Sequence, residues 1–527
     1  MTTRQPVTAD VIVVGLGPVG AVASLLLARA GLKVIAVEKA AAAYDKPRAI
    51  GIDHESLRTL QKICNADAIE ELLGPYRASE YRSKAGEVLR RVVPQPPPHP
   101  LAWPPSATFI QPELEKLLRT HLEAARNIRL LWSHEAVAVS QEPDAVLFEL
   151  KRLVDGAQIQ ISAPFAIACD GASSFVRRSL AIELEDLGFD EPWLVVDVLL
   201  ESEDRLPDHV IQFCNPDRPC TFVPGPRALR RWEFMMLPGE DPAEMVKDAR
   251  VWELLSPWLS RSEARIWRAA CYRFHALVAQ RWRDGRCFLA GDAAHQTPPF
   301  MAQGLNQGIR DAANLTWKLA LVLQTAAHPG LLDTYEHERR PNAHAVIALT
   351  KRFGQLICER DPVAAAVRDK ELLAEMEAGR GEIIRQDLLP PLQGGFLHGS
   401  GTDPAVGHVF PQPFVAAQNA KVRMDDVFAS RTLLVVADPG WLPSKRTYAL
   451  AMELDVALAA LAPISPLVTL VRDESGVLAA WFARYGLAAA LVRPDHVVFA
   501  TCATAAAAED LLLLLKARLQ QLPHAHG

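Results

Sequence analysis

Two spacings of apolar residues alternate along this chain, and each change of spacing marks a new element. Asp10–Val14 (DVIVV) is an unbroken apolar run, the pattern of a parallel strand buried on both faces. Val19–Ala30 is rich in Ala and Leu at helical spacing and stops at Gly31. Lys33–Glu38 (KVIAVE) is a second buried strand, so the chain opens with a β-α-β unit. Val93–Pro105 holds seven prolines and reads as a structureless surface connection. Gln111–Asn127 has helical spacing with a proline at its start, and Ile161–Asp170 is a strand running into a glycine turn. From Glu183 to Tyr272, β-branched and aromatic residues punctuated by Pro and Gly predict a mostly antiparallel sheet. Arg286–Ala290 (RCFLA) is a strand and Gly304–Gln324 a helix. Near Gly394–Gly407 the chain turns rich in Gly, His and Pro, which marks a domain boundary. Beyond it Thr432–Ala437, Leu467–Val471, Ala489–Val492 and Val497–Ala500 read as strands. Ala451–Ala462 and Ala506–Gln520 read as helices, giving a small α/β domain.

Composition narrows the class. At 527 residues the chain is long enough for two or three domains. A net charge of −6 with mixed signs argues against general nucleic-acid binding, which needs a basic stripe. The eight cysteines show no C-x-x-C pair, so neither a zinc site nor a disulfide framework is expected. No basic segment followed by an apolar stretch precedes the first strand, and no uncharged apolar run reaches the roughly 18–20 residues that span a bilayer. The expectation is a cytoplasmic protein without an integral membrane segment; peripheral membrane contact stays open.

The chemistry begins at Gly15-Leu16-Gly17-Pro18-Val19-Gly20, a G-x-G-x-x-G between strand and helix. The first glycine permits the turn, the second lets backbone approach a pyrophosphate, and the third lets helix and strand pack closely. Glu38 ends the second strand, where a carboxylate accepts ribose hydroxyls and disfavours a 2′-phosphate. By itself this unit fits FAD or NAD equally.

Two later motifs carry a resemblance. Cys169-Asp170-Gly171-Ala172-Ser173-Ser174-Phe175-Val176-Arg177 resembles the "DG" motif of flavoprotein aromatic hydroxylases. Gly291-Asp292-Ala293-Ala294-His295, with Pro298-Pro299 and Gly304-Leu305-Asn306, resembles their "GD" motif. Together with the glycine turn, and in this order, they are similar to the single-component FAD-dependent aromatic monooxygenases, which share the p-hydroxybenzoate hydroxylase fold. Pro47–Arg58, Gly188–Asp197, Thr221–Gly225, Arg231–Phe234 and Ala290–Leu319 look most like the 3-(3-hydroxyphenyl)propionate hydroxylase branch. The likeness covers residues 8–350. The tail resembles the thioredoxin-like domain of larger members, without a Cys pair. The resemblance implies an α/β fold with a Rossmann-like, GR2-type FAD-binding domain over 1–182 and 280–395. It also implies an antiparallel substrate sheet over 183–279, drawing on about 75–110, and a thioredoxin-like domain over 396–527.

It implies residue roles too. Gly15, Gly17, Pro18, Val19, Gly20, Glu38 and Lys39 hold the ADP half of FAD, and Arg48 reaches its phosphates. Gln111 contacts the cofactor; Asp170 and Gly171 serve the pyrophosphate region and a visiting nicotinamide nucleotide; Asp292 binds ribitol hydroxyls. Pro299 presents a rigid carbonyl with no competing N–H, and backbone N–H groups of Leu305 and Asn306 at the start of the Gly304 helix favour the anionic reduced flavin. Two positions depart from the pattern. Ala302 stands where many relatives have glycine, and a methyl there narrows the approach to the flavin. His54 stands where close relatives often have a second acid after Asp53.

Only one dinucleotide cradle is present in the sequence, so NADH or NADPH is a transient visitor. The implied activity is hydroxylation of a phenolic compound through a flavin C4a-hydroperoxide formed with O2, in aromatic catabolism. Asp53 and His54 are candidates to deprotonate or orient the phenol, and His54 reads equally as a satisfied helix-start residue. Arg218, Arg231 and Trp232 lie in the expected substrate sheet, where an arginine either clamps a carboxylate or is a solvated strand charge. Arg273 is a candidate ligand contact or a surface charge. Other readings on the same frame are a polyketide hydroxylase, a Baeyer–Villiger oxygenase, an oxidase, or a non-enzymatic FAD-binding protein. No metal is expected, and the assembly is open, a homodimer being one option.

Overall fold

A computed structural model describes residues 7–521 apart from 43, 203, 418–419, 429–430, 439 and 462–468. The opening β-α-β unit forms as the pattern requires: Val11–Val14 and Val34–Glu38 pair in parallel, and helix Pro18–Arg29 connects them. Ile128–Trp132 extends this sheet beyond Val34–Glu38, while Phe165–Ala168 and Cys287–Leu289 extend it beyond Val11–Val14. Val11–Val14 thus lies where successive connections leave in opposite directions, the place where open α/β sheets bind ligands. Its glycine turn follows at its carboxyl end.

A nine-stranded sheet supplies the second layer. Its long strands Leu184–Leu200 and Ala264–Ala279 run antiparallel to each other, and Leu229–Met235, Cys220–Pro224 and Val210–Phe213 follow. Ser79–Arg82, Val88–Val93 and, from late in the chain, Glu382–Ile384 continue it at one side, and His295–Gln296 pairs with Ala264–Ala279 at the other. Strand alternation gives the sheet two different faces. Leu194, Val196, Val198, Phe222, Trp232 and Phe234 bury one face against Val251, Trp252 and Leu255 of helix Asp248–Leu255. The opposite face carries Asp197, Gln212, Thr221, Arg231 and Glu233, which are cross-strand neighbours.

A small three-stranded sheet matters most for the site. Gly51–Asp53 and Leu73–Pro75 both pair with Ser106–Phe109, and both end where that strand begins. The proline-rich segment 94–105 has no regular element, as expected, but it is not all surface: Leu101 and Trp103 are buried. Trp103 donates to Gln61 Oε1 at 2.8 Å, and the Arg423 guanidinium lies 3.7 Å from its ring centre.

The tail has the thioredoxin-like order. Thr432–Val436 and Val456–Ala460 are parallel, and the antiparallel pair Ala489–Val492 and Val498–Cys502 lies on the other side of Thr432–Val436. The helix expected over Ala451–Ala462 is two elements: helix Lys445–Glu453, then strand Val456–Ala460, with Asp455 in the left-handed region between them. A short alanine-rich run is ambiguous between buried helix and buried strand, and parallel pairing decides here. Thr469–Leu470 is the strand within the expected Leu467–Val471, whose first two residues lie outside the described residues, as does Ala462. Among the described residues no helix is long and apolar enough to cross a membrane.

The tail docks on two helices that reach the site. On His54–Gln61, Arg58 binds Asp425 at 2.7 and 2.8 Å and the Phe410 carbonyl at 2.5 Å. On Gln303–Gln324, Lys318 pairs with Glu338 at 3.0 Å, and Arg493 of the tail reaches the same carboxylate at 2.7 Å. Trp317 packs on Phe396 at a ring separation of 5.9 Å.

Candidate active site

The glycines of the cradle are required one by one. Gly15 has φ +91°, and a Cβ there would stand 2.4 Å from the Cys169 carbonyl. A Cβ on Gly20 would stand 1.9 Å from the Gly15 carbonyl. Apart from its own chain neighbours, no protein atom lies within 4 Å of where a Cβ on Gly17 would be, so its backbone is open to a ligand. Helix Pro18–Arg29 has no side-chain cap, which leaves its first N–H groups unpaired and directed at that opening. Glu38 accepts from Leu16 N at 2.7 Å and from Ala40 N at 2.8 Å. Each carboxylate oxygen keeps a second lone pair for a ribose hydroxyl. Lys39 is exposed.

The DG and GD motifs close on this cradle. Asp170 accepts from Val176 N at 3.1 Å, while its Oδ1 is buried without a partner. Val19 packs against Gly291 and Gly308, where added Cβ atoms would stand 3.1 and 2.5 Å from its Cγ2. Beneath the GD turn, Asp311 accepts from Gly291 N at 3.0 Å, binds His295 Nε2 at 2.8 Å and receives Arg339 Nε at 2.9 Å. These charges hold its carboxyl below the usual range against the opposing effect of burial. Asp292 is accessible yet crowded by protein. Desolvation raises its carboxyl above the usual value, partly offset by His295 and Arg48.

The flavin-side helix begins one residue earlier than the pattern suggests, at Gln303. By the i to i−4 rule the free N–H groups are therefore those of Gln303, Gly304 and Leu305, whereas Asn306 N–H enters the helix ladder. Asn306 acts through its side chain: Nδ2 donates to Ala302 O at 2.6 Å, and Oδ1 accepts from Asp53 N at 3.1 Å and Ser56 Oγ at 2.7 Å. The Pro299 carbonyl is not free of competition, because Ala302 N donates to it at 2.8 Å. Met301 and Ala302 both have positive φ. The Ala302 methyl faces Gly51, where a Cβ would come within 2.8 Å of it, so this departure is matched by a glycine opposite.

Asp53 caps helix His54–Gln61 through Ser56 N at 3.0 Å and receives Arg310 Nη2 at 2.6 Å. Arg310 also binds Glu55 at 2.7 Å. Burial opposes ionisation of Asp53, but Arg310 and the Ser56 N–H hold its carboxyl below the usual value. Its carboxylate is thus engaged on both sides, by the helix cap and by the ion pair. His54 differs: it is buried, its Nδ1 has no partner, and burial pushes its pKa below 6.5, so the ring is neutral.

The sheet candidates take other places. Arg231 is buried, bound to Asp197 at 2.7 and 3.1 Å and to the carbonyls of Arg48 at 2.7 Å and Pro47 at 3.1 Å. Arg268 joins it on Asp197 and on the Pro47 carbonyl. Both arginines clamp the segment that carries Arg48; Arg231 is satisfied within the protein, whereas Arg268 keeps Nε and Nη2 buried without a partner. Trp232 points into the apolar core on the far face, 4.8 Å from Phe222 between ring centres. A one-residue change of parity reverses the face, and register, which sets parity, is not local. Arg218 is held bidentately by Glu240 at 2.9 and 2.6 Å. Arg273 is exposed, with Asp190 at 3.3 Å. Gln111 directs its Oε1 at the N–H groups of Arg48 and Ala49, at 3.2 and 2.6 Å, and so supports that segment. Arg48 itself is exposed beside the Tyr44 ring. Sequence reasoning missed Arg310, Asp311, Tyr76 and Arg385; i to i+4 spacing from Asn306 was the one available signal, and it pointed to Arg310.

These residues fit FAD. The glycine cradle is open at Gly17, the DG aspartate has a buried unpartnered oxygen, and Gly304 at the second helix N-terminus has no atom beyond its own helix turn within 4 Å of a would-be Cβ. Comparison with known proteins agrees. The FAD binding domain family matches residues 8–350, and the HcaD C-terminal domain family matches 407–517. A 3-(3-hydroxy-phenyl)propionate/3-hydroxycinnamic acid hydroxylase of Escherichia coli strain SMS-3-5 is 33% identical over 511 residues, covering 93% of this chain and 91% of that protein. The protein of the same name from Shigella sonnei is equally similar, at 33% over 511 residues. The flavin-dependent monooxygenase PieE, solved with FAD and substrate, has the same fold: TM-score 0.83, 22% identity, 98% of this chain and 100% of that chain covered. Aklavinone-11 hydroxylase, solved with FAD and aklavinone, gives 0.78 at 24% identity, covering 99% and 100%. The chain therefore belongs to the FAD binding domain family, as an FAD-dependent monooxygenase of the aromatic hydroxylase kind.

Proposed function

We propose that this enzyme hydroxylates a small phenolic acid, of the 3-(3-hydroxyphenyl)propionate kind, to its catechol, using NADH or NADPH and O2 in the cytoplasm. The observation that carries the reading is the junction between an uncapped helix N-terminus and the strand that ends in Asp53 and leads into the His54 helix, held together by Asn306. The similarity to hydroxylases named for that substrate supports the same class. Bound FAD supplies the electron transfer from the nicotinamide nucleotide to O2 that delivers one oxygen atom to the ring. Gly15, Gly17, Gly20, Glu38, Arg48 and Asp170 hold its ADP half and pyrophosphate, and Asp292 meets the ribitol. The free N–H groups of Gln303, Gly304 and Leu305 stabilise negative charge at the flavin ring. His54, neutral and unpartnered at Nδ1, takes the phenolic proton, and the resulting phenolate enriches the ring ortho and para to oxygen. Asp53 and Arg310 fix the start of its helix. Residues 1–182 with 280–395 form the FAD-binding domain and 396–527 the tail. The substrate sheet is 183–279 with about 75–110, to which the pairing of Glu382–Ile384 adds a strand.

The test is oxidation of NADH or NADPH, with product identification, on 3-(3-hydroxyphenyl)propionate, 3-hydroxycinnamate and simple phenols. The phenolic acids should accelerate oxidation and yield a catechol. Oxidation at one rate with or without any phenol, forming only hydrogen peroxide, would refute the reading.

A further inference from the structure

Among the described residues nine arginines are buried, and all but two have a carboxylate within ion-pairing distance. Arg177 is one exception, and the charge of Asp170 in its own motif acts on it. Arg385 is the other. It is 7% exposed, and among the described residues it has no ion pair. Its guanidinium donates to the Met301 carbonyl and, at 3.2 Å, to Tyr76 Oη, and it lies 5.2 Å from the centre of the Tyr76 ring. Neither partner is charged. Burying a cation beside neutral groups alone is costly, and the site is stable when an anion joins it.

The position of Arg385 says which anion. Met301 immediately precedes Ala302, the cap of the flavin-side helix. Tyr76 follows the strand Leu73–Pro75, which ends beside the start of Ser106–Phe109, as does the strand that leads into His54. Gln386, the next residue, donates to the Pro105 carbonyl at 3.1 Å, and His54 N–H reaches that same carbonyl at 3.4 Å. One end of a small sheet thus gathers Arg385, Tyr76, the start of the His54 helix and the flavin-side loop. A guanidinium has five N–H donors, and its planar fork matches a carboxylate.

Resting on the hydroxylase reading above, we infer that Arg385 is the substrate anchor: it binds the carboxylate of a phenolic acid while the phenol end is held for reaction. Tyr76 orients the guanidinium, and the Met301 carbonyl couples the anchor to the flavin-side loop. The enzyme therefore selects for a charged side chain on the ring.

Steady-state catechol formation separates this from the broader reading. 3-(3-Hydroxyphenyl)propionate and its primary amide are compared in wild type, Arg385→Gln and Arg385→Lys, with FAD content measured for each protein. Wild type should prefer the acid by roughly 100-fold in kcat/KM, the scale of a buried charge-assisted bond. Arg385→Gln, which keeps a donor for the Met301 carbonyl, should lower the acid to the level of the amide and leave the amide within about threefold. Arg385→Lys should restore part of the preference. Equal wild-type rates on acid and amide, or a parallel loss on both in a FAD-replete Arg385→Gln, overturns the anchor and leaves the hydroxylase standing. No catechol from either phenol removes both.

Discussion

Gly17 and Gly20 stand three residues apart and meet opposite surroundings, so they separate cofactor binding from folding. Gly20→Ala places a methyl against the Gly15 carbonyl and should lower Tm and leave little folded protein. Gly17→Ala has room within the protein and should fold normally while losing bound FAD, read as the flavin-to-protein absorbance ratio. His54 carries a second prediction at this scale. Its folded pKa lies below 6.5, so it is deprotonated and ready as a base at neutral pH, and kcat/KM should fall only as pH drops below that value. His54→Gln should lose roughly 10²–10⁴-fold at pH 7 and regain rate as pH approaches the phenol's own pKa of about 10. A flat pH profile shared by both proteins would remove His54 from the proton transfer. The cradle glycines, Glu38 and the DG and GD turns were legible because their chemistry is local. Arg231 and Trp232 were not, because strand register decides which face a residue takes, and their partners Asp197 and Phe222 lie on other strands.

At the scale of elements, the site depends on the small sheet of Gly51–Asp53, Leu73–Pro75 and Ser106–Phe109 and on the helix Gln303–Gln324 that meets it. Asp53→Ala removes a helix cap and the partner of a largely buried arginine, and should cost about 3 kcal/mol, seen as a lower midpoint in urea unfolding. Glu55 still faces Arg310 in that variant, so Asp53→Asn, which keeps cap geometry, should recover part of the loss. The helix was plain from its spacing. The small sheet was not, because each of its strands is three or four residues long and its partners are distant in sequence. The Ala451–Ala462 segment shows the same limit: an apolar run too short to reveal its period takes its form from its neighbours.

For the whole molecule, the tail binds the two helices that frame the site, and with Cys502 as its only cysteine it holds no cysteine pair. Arg493→Met would leave the buried Glu338 short of one partner and should cost roughly 3–5 kcal/mol, with a lower Tm and less retained FAD. The pH sign follows from the same group. Arg493 and Lys318 hold Glu338 at about 2, below its ordinary 4.5. Its contribution is therefore complete above pH 4.5 and is lost as pH falls from 4.5 towards 2. Glu338→Gln should flatten thermal stability across that window; an unchanged acid limb would show that the network does not hold the tail. The domain boundary was visible in composition, but the docking was not, because it joins Arg58 and Glu338 to residues well over a hundred positions away.

Oxygen transfer to a phenolic acid at this FAD site can be followed in a single turnover of the FAD-loaded enzyme with a nicotinamide donor, 3-(3-hydroxyphenyl)propionate and 18O2. The expected product is a catechol carrying one 18O atom, formed in proportion to the nicotinamide nucleotide consumed. Unchanged phenol with 18O recovered only as hydrogen peroxide, or a product whose new oxygen comes from water, would contradict it.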